Sequence, residues 1–511
     1  MTLRQQIMRR KPLAAADEGS DEAGHLKRSI GTFQLTMFGV GATVGTGIFF
    51  VLQEAVPHAG PAVLISFLIA GIAAGLSVLC YAELAAAIPV SGSTYSYAYH
   101  TLGEGMAMVI AACVLLEYGV STSAVAVGWS GYFNELTHGL FGWQLPQSLS
   151  YAPIPFYEPD GSIADPTGIV NLPAVVLVFL CMFLLLRGAT ESATVNTIMV
   201  LIKLSVLIMF AVIAFTAFQA DRFDNFWSAG AGGISTAAAT IFFSFIGLDA
   251  VATAGEEVRD PQRALPRALM AALFVVIGVY LLVAAAGVGS QPLQEFSSPD
   301  QQSAGLAVIL RNVTGSEIPA IILAAGAVIS VFSVTLVTLY GQTRILFAMG
   351  RDGMVSPRFA HVNPRTMTPN YNTVVVSIVI AIIAGIVPAG YLWDTVSIGT
   401  LVAFTVVAVA VVVLRRTQRD LYRPFRVPGY PVTPVLAVVA CVYVLWGLPW
   451  HTWAAFFVWL AIVLAFYYVY GRKHAALARL RHVPEDVLEP GAGVHASEAT
   501  RTRIDPEEDP R

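Results

Sequence analysis

The stretch FGVGATVGTGIFF, Phe38 to Phe50, decides how the rest of the chain is read. It is apolar enough to lie in a membrane, yet Gly39, Gly41, Gly45 and Gly47 stand where a continuous helix favours Leu or Ala. An interior Gly costs about 1 kcal/mol relative to Ala in a helix, so helical stability is given up here at one depth. Two physical readings follow. The glycines can let helices approach closely, since Gly41 and Gly45 form a G-x-x-x-G, or they can leave the backbone open. Thr46, between Gly45 and Gly47, favours the second reading: a small hydroxyl beside free backbone N–H groups makes an anion seat. The half-helix beginning GIFFVLQEA would point its positive end at that seat. A nucleotide loop is excluded, because no strand is expected before Gly39 and no Gly-Lys-Ser/Thr follows.

Outward from this stretch, the composition is that of an integral membrane protein. Of 511 residues, 56% are hydrophobic and only 12% charged, and the mean hydropathy is +0.68, whereas about a quarter of a soluble chain is charged. Apolar runs long enough to cross a hydrocarbon core of about 30 Å fall near 33–56, 62–87, 105–132, 171–187, 192–218, 233–254, 268–289, 318–348, 373–388, 391–414, 432–449 and 452–470. The expected fold is therefore all-α with about 12 transmembrane helices. Residues 1–29 read as a polar tail with no small-residue processing site, 30–471 as one membrane domain, and 472–511 as a second polar tail.

Basic residues sort between alternate loops. Arg9, Arg10, Lys11, Lys27 and Arg28 precede span one, Arg259, Arg263 and Arg267 follow span six, and Arg415, Arg416, Arg419, Arg423 and Arg426 follow span ten. The opposite loops hold only Arg222 and Arg311, and the 134–170 loop has neither Lys nor Arg. The positive-inside rule then places both termini in the cytoplasm of a cell inner membrane. These clusters are explained by topology, so nucleic acid is not an expected partner. Cys80, Cys113, Cys181 and Cys441 lie in apolar spans without metal-ligand spacing and read as small core residues.

A second odd span organises the chain. FFSFIGLDAVATAGEEVRDPQRALP, Phe242 to Pro266, is apolar, interrupted by Gly247, and carries Asp249 where lipid would exclude a charge. Two Gly-interrupted segments at corresponding places in two successive groups of five spans point to a secondary transporter built from an inverted repeat, with its site at the breaks. Open backbone at membrane depth is tolerated only against a cavity or ligand. Glu117, Lys203 and Asp249 are the ionisable groups far from any loop, and at about 2.5–3.5 kcal/mol each on insertion scales such charges default to function; a structural ion pair is the alternative. Glu83 lies near a cytoplasmic end and fits a structural or gating role. Glu256, Glu257, Arg259 and Asp260 read as solvated loop charges, and Trp393, Trp450 and Trp453 as interfacial belt residues. Phe243 is either packing or a lid over a ligand.

These segments resemble the amino acid–polyamine–organocation (APC) superfamily, and within it the cationic amino acid transporter branch. The resemblance rests on GVGATVGTGIF, YAELAAAIPVSGSTYSYAY, the span-six segment, GQTRILFAMGRDGM and YRPFRVPGYPVTPVL, in that order and covering residues 30 to 470. It implies a five-plus-five inverted repeat with discontinuous helices 1 and 6. It also implies that Gly45, Thr46 and Gly47 receive a substrate carboxylate, that carbonyls near Thr43 and at Phe243, Ser244 and Ile246 receive its ammonium, and that Phe243 is the gate. Lys203 matches the lysine that takes the place of sodium in proton-driven members, and Asp249 and Glu117 match acidic positions used in proton handling or substrate contact.

The resulting expectation is a membrane transporter of L-amino acids, working by alternating access as a proton symporter. No cofactor is expected besides the coupling proton, and no partner besides substrate and lipid. No acidic residue stands out in the sequence to receive a cationic side chain, and span eight reads SVFSVTLVTLY, so neutral and cationic amino acids both stay open. An exchanger without net proton flux is the nearest alternative. A channel wants a polar pore or charged ring, a sensor wants a soluble signalling domain, and an enzyme wants a catalytic cluster; the spans offer none of these.

Overall fold

The computed structural model describes residues 7–11, 30–88, 93–155, 168–187, 193–253, 258–364, 366 and 368–476. Its helices in chain order are α1 (Thr32–Thr43), α2 (Thr46–Ala59), α3 (Val63–Ala87), α4 (Ser93–Thr101), α5 (Glu104–Leu115), α6 (Ser121–Phe141), α7 (Leu172–Leu186) and α8 (Ala193–Phe215). There follow α9 (Gly230–Phe242), α10 (Ala250–Thr253), α11 (Pro261–Ser290), α12 (Pro299–Thr314), α13 (Glu317–Arg351), α14 (Asn370–Ile386), α15 (Ala389–Thr417), α16 (Val432–Trp446) and α17 (Trp450–Phe466). Among the described residues 7 helical segments are long and apolar enough to cross a membrane, counting α2 with α3 and α5 with α6 as continuous segments, and further apolar helices are shorter. The helix containing span three runs on to Phe141, nine residues beyond the expected 132, so the 134–170 loop begins inside a helix.

The helices pack in two groups. In one, α11 lies along α3 and α1, α9 along α2 and α3, and α8 along α1 and α11. In the other, α13 lies along α6, and α7 along α14. Small residues allow this closeness. A Cβ at Gly39 would come within 2.6 Å of Val251, and one at Gly41 within 2.6 Å of Val200, so these two glycines serve packing. Large apolar side chains point outward instead: Val439, Trp446, Phe457 and Ile462 on α16 and α17 are exposed, as suits a lipid-facing surface.

On the face where the Arg clusters lie, ionic contacts fasten helix ends. Glu83, fully buried, accepts from Arg415 Nε at 2.7 Å and from Val427 N at 2.7 Å, tying the end of α3 to the end of α15. The short segment 7–11 lies against α4 and the ends of α5 and α13. Arg9 pairs with Glu104 at 3.1 Å and Lys11 with Asp352 at 2.9 Å. Burial pushes His100 down to about 4, so its ring is neutral and Nδ1 donates to the Lys11 carbonyl at 2.8 Å. Arg259 and Asp260 are exposed as expected, while Glu256 and Glu257 lie outside the described residues.

Candidate substrate site at the two helix breaks

The helix of span one opens over two residues. Val44 (φ −74°, ψ 89°) ends α1 and Gly45 (φ −142°, ψ −144°) precedes α2. Gly45, the N-cap residue of α2, has no side chain with which to cap the helix, so the first turn of α2 presents its positive end without an N-cap side-chain bond. Of the glycines in the opening motif, Gly45 and Gly47 stand here. A Cβ on Gly45 would meet Val334 at 2.7 Å, and one on Gly47 would meet the Ser244 backbone at 2.6 Å. Gly47 therefore admits close contact with span six, rather than only leaving space for a ligand.

Span six opens more widely. α9 ends at Phe242, a single tight turn covers Phe243–Phe245, Ile246 is extended (φ −67°, ψ 144°), and α10 begins at Ala250. Gly247 has φ +100°, a left-handed conformation that L side chains rarely adopt, and a Cβ there would lie 2.6 Å from Ala42 O. The two breaks thus interlock: Gly47 rests on Ser244, and Gly247 rests on the end of α1.

Side chains from other helices hold the freed carbonyls. Lys203, fully buried on α8, donates from Nζ to Gly41 O at 2.9 Å. Ser330 on α13 reaches Val44 O at 3.5 Å. Tyr280 on α11 places its hydroxyl 3.0 Å from Thr43 O and 2.8 Å from Ser244 O, and its single proton serves one carbonyl at a time. Tyr280 ties both breaks together and was not singled out by sequence reasoning, because an aromatic on an apolar helix carries no mark of its partner.

A narrow cavity of about 30 Å³ lies between the breaks. That is room for one or two waters, so an amino acid enters only if the surrounding helices part. Of the expected site residues, Thr43, Gly45, Gly47, Phe243, Ile246 and Glu117 line it. Ser244 is buried beside it, with no hydrogen-bond partner for its Oγ among the described residues. Thr46 begins α2, but its side chain lies outside the described residues. Lys203 and Asp249 stand behind the lining, Lys203 against α1 and Asp249 accepting from Tyr118 OH at 2.8 Å. Among the described residues no His/Cys/Asp/Glu group could hold a metal ion.

Glu117 reaches the cavity through a local irregularity. Leu116–Val120 winds as a π-turn between α5 and α6, a distortion that often marks functional sites. Glu117 and Tyr118, neighbours in sequence, both line the cavity as a result. The Glu117 carboxyl group is buried at the cavity, with the Thr400 hydroxyl of α15 beside it. Sequence reasoning found Glu117 as a lone charge, but the π-turn that aims it has no sequence signal. The rest of the wall mixes the apolar Val125, Val334 and Phe243 with the hydroxyl-bearing Tyr118, Ser121 and Thr338.

Trp393 corrects an expectation. It does not sit in an interfacial belt: it is 6% exposed, with its ring centroid 6.1 Å from that of Phe243 and 6.1 Å from that of Phe50. Trp450, by contrast, is 79% exposed, as a belt residue would be.

Comparison with known proteins matches this arrangement to one family. A profile described as amino acid permease covers residues 30–471. A branched-chain amino acid permease, BcaP, of Bacillus subtilis is 40% identical over 92% of this chain and 99% of its own. A methylthioribose transporter of the same species is 39% identical over 92% and 99%. A vacuolar cationic amino acid transporter 4 of Arabidopsis thaliana is 34% identical over 81% of this chain and 68% of its own. With its helical membrane architecture and a match across nearly the whole chain, this protein belongs to the amino acid permease family of the APC superfamily, whose members are transporters and not enzymes.

Proposed function

We propose that the chain is a secondary transporter that moves L-α-amino acids across the cytoplasmic membrane by alternating access, with the proton as coupling ion. The observation that carries this reading is the pairing of opposite helix ends at one cavity. The uncapped N-terminus of α2 faces it from one break, and the carbonyl end of α1 with the turn after α9 faces it from both. N–H groups for a carboxylate and C=O groups for an ammonium recognise the zwitterionic head group without buried counter-charges. Gly45, Thr46 and Gly47 take the carboxylate, and the carbonyls of Thr43, Phe243, Ser244 and Ile246 take the ammonium, sharing Thr43 and Ser244 with Tyr280. Val125 and Val334 favour neutral, apolar side chains, with Glu117 available to a cationic one.

Twelve spans in a five-plus-five inverted repeat, with both termini cytoplasmic, complete the reading. Its support is that spans one, two, six and seven pack with one another, as do three, four, eight and nine. Lys203 is assigned the coupling role: its ammonium holds Gly41 O as a bound sodium ion would, and loss of its proton would release α1. Glu117 and Asp249 carry the proton on the site's other side. Transport then rises as external pH falls and is indifferent to sodium.

The test is uptake of labelled leucine, valine, arginine and lysine into proteoliposomes, with and without a proton gradient and with and without internal substrate. Accumulation driven by the gradient alone is expected. Uptake that needs internal substrate identifies an exchanger, and uptake that needs sodium removes Lys203 from the coupling role. Methylthioribose, named by one relative, has neither carboxylate nor amine; if it were the better substrate, recognition at the two helix ends would be wrong.

A further inference from the structure

We propose that Trp393 is the fixed half of an outer lid over the cavity, onto which Phe243 and Phe50 close, and that this stack sets how long a bound amino acid is retained. The inference rests on the transporter reading above and adds a residue to it. Phe243 lines the cavity and is 7% exposed, and Phe50, in the second turn of α2, is 5% exposed. Phe243 stands at one break, and Phe50 rides on the helix that starts at the other, so both can swing with the breaks. Trp393 rides in the first turns of α15, which runs unbroken from Ala389 to Thr417 and is tied at its other end through Arg415 to Glu83. One surface is anchored and two are hinged.

The stack continues into α6. Phe50 meets Tyr132 edge-on at 5.0 Å, and the Tyr132 hydroxyl donates to Phe49 O at 2.8 Å. That same hydroxyl lies 3.4 Å from Leu306 N on α12. Closing the rings therefore also docks α2 against α6 and α12. The Trp393 indole N–H has no hydrogen-bond partner among the described residues. Its ring is held by shape, and an N–H that water would satisfy when the lid is open loses that water when it shuts. The closed lid is thus poised to reopen.

The experiment uses the full chain with Val334→Cys, a wall position of the cavity; the native cysteines are all buried. In right-side-out vesicles a membrane-impermeant charged thiol reagent is applied with and without saturating L-leucine. Leucine is expected to protect the cysteine. Trp393→Ala is expected to raise its external modification rate about tenfold, remove the protection, and release labelled leucine about tenfold faster. Trp393→Phe should stay within about twofold of the parent. In inside-out vesicles Trp393→Ala should leave the rate unchanged, which separates a lid from a generally loosened fold. Should Trp393→Ala fail to fold, Trp393→Leu and Phe50→Leu probe the same stack and are expected to move the rates in the same direction. Protection and release rates that survive all of these substitutions overturn the lid alone. Absence of protection by leucine or any other L-amino acid in the Val334→Cys parent overturns the amino acid site, and the lid with it.

Discussion

The two helix breaks solve one problem in different ways. The break between α1 and α2 is two residues long, and its carbonyls are held from outside by Lys203, Tyr280 and Ser330 on three different helices. The break between α9 and α10 runs from Phe243 to Asp249, shares the Tyr280 tie through Ser244 O, and turns on Gly247 at φ +100°. A carbonyl held by a neighbour's side chain is pre-oriented but can be loosened by changing that neighbour. A backbone held by a glycine is loosened only from within. The first arrangement suits coupling, since an ionisable neighbour can let go. The second suits a gate, since Phe243 rides on a short turn whose path is set by Gly247.

This difference is most severely challenged at Gly247. Gly247→Val combines a left-handed backbone with a Cβ 2.6 Å from Ala42 O, and is expected to cost about 3 kcal/mol or more. The check is a lowered unfolding midpoint together with loss of leucine binding in detergent. Normal binding would mean that span six does not rely on its glycine. Next in size is Lys203→Met, which should abolish gradient-driven accumulation while leucine exchange partly survives; accumulation equal to the parent would reduce Lys203 to a structural tie.

Smaller effects sharpen the comparison. Tyr280→Phe removes the one proton shared between Thr43 O and Ser244 O, at a cost of about 1–3 kcal/mol, and should weaken binding and stability together. If only stability changed, Tyr280 would be scaffolding. Ser330→Ala, removing a long contact of 3.5 Å to one carbonyl, is expected to cost about 0.5–1 kcal/mol and to change leucine affinity less than threefold in an equilibrium titration. A larger loss would show that the first break depends on each of its ties.

How much of this could be read from the sequence follows the same division. Both breaks were legible because glycine's cost in a helix is local, and a lone Lys203, Asp249 or Glu117 in an apolar run announces that it needs a partner. Which partner was not legible, since Gly41 O and Lys203 Nζ meet across 162 positions of chain. Tyr280 and Trp393 were lost for a related reason. An aromatic on an apolar helix has the same pattern whether it faces lipid, core or site, and only packing decides. Gly39 and Gly41 show what the sequence left open: the glycine run fitted both close packing and open backbone, and at these two positions Val251 and Val200 occupy the space a Cβ would need.

The central claim, that opposed helix ends at the two breaks recognise an amino acid head group, is tested most directly by equilibrium binding to the purified protein. L-leucine is compared with leucinamide, N-acetyl-leucine and putrescine. Removing either charged end forfeits charge-assisted hydrogen bonds of about 1.5–3 kcal/mol, so leucinamide and N-acetyl-leucine should each bind about 10- to 100-fold more weakly, with putrescine weaker still. Binding of leucinamide or putrescine as tight as that of leucine would contradict the account.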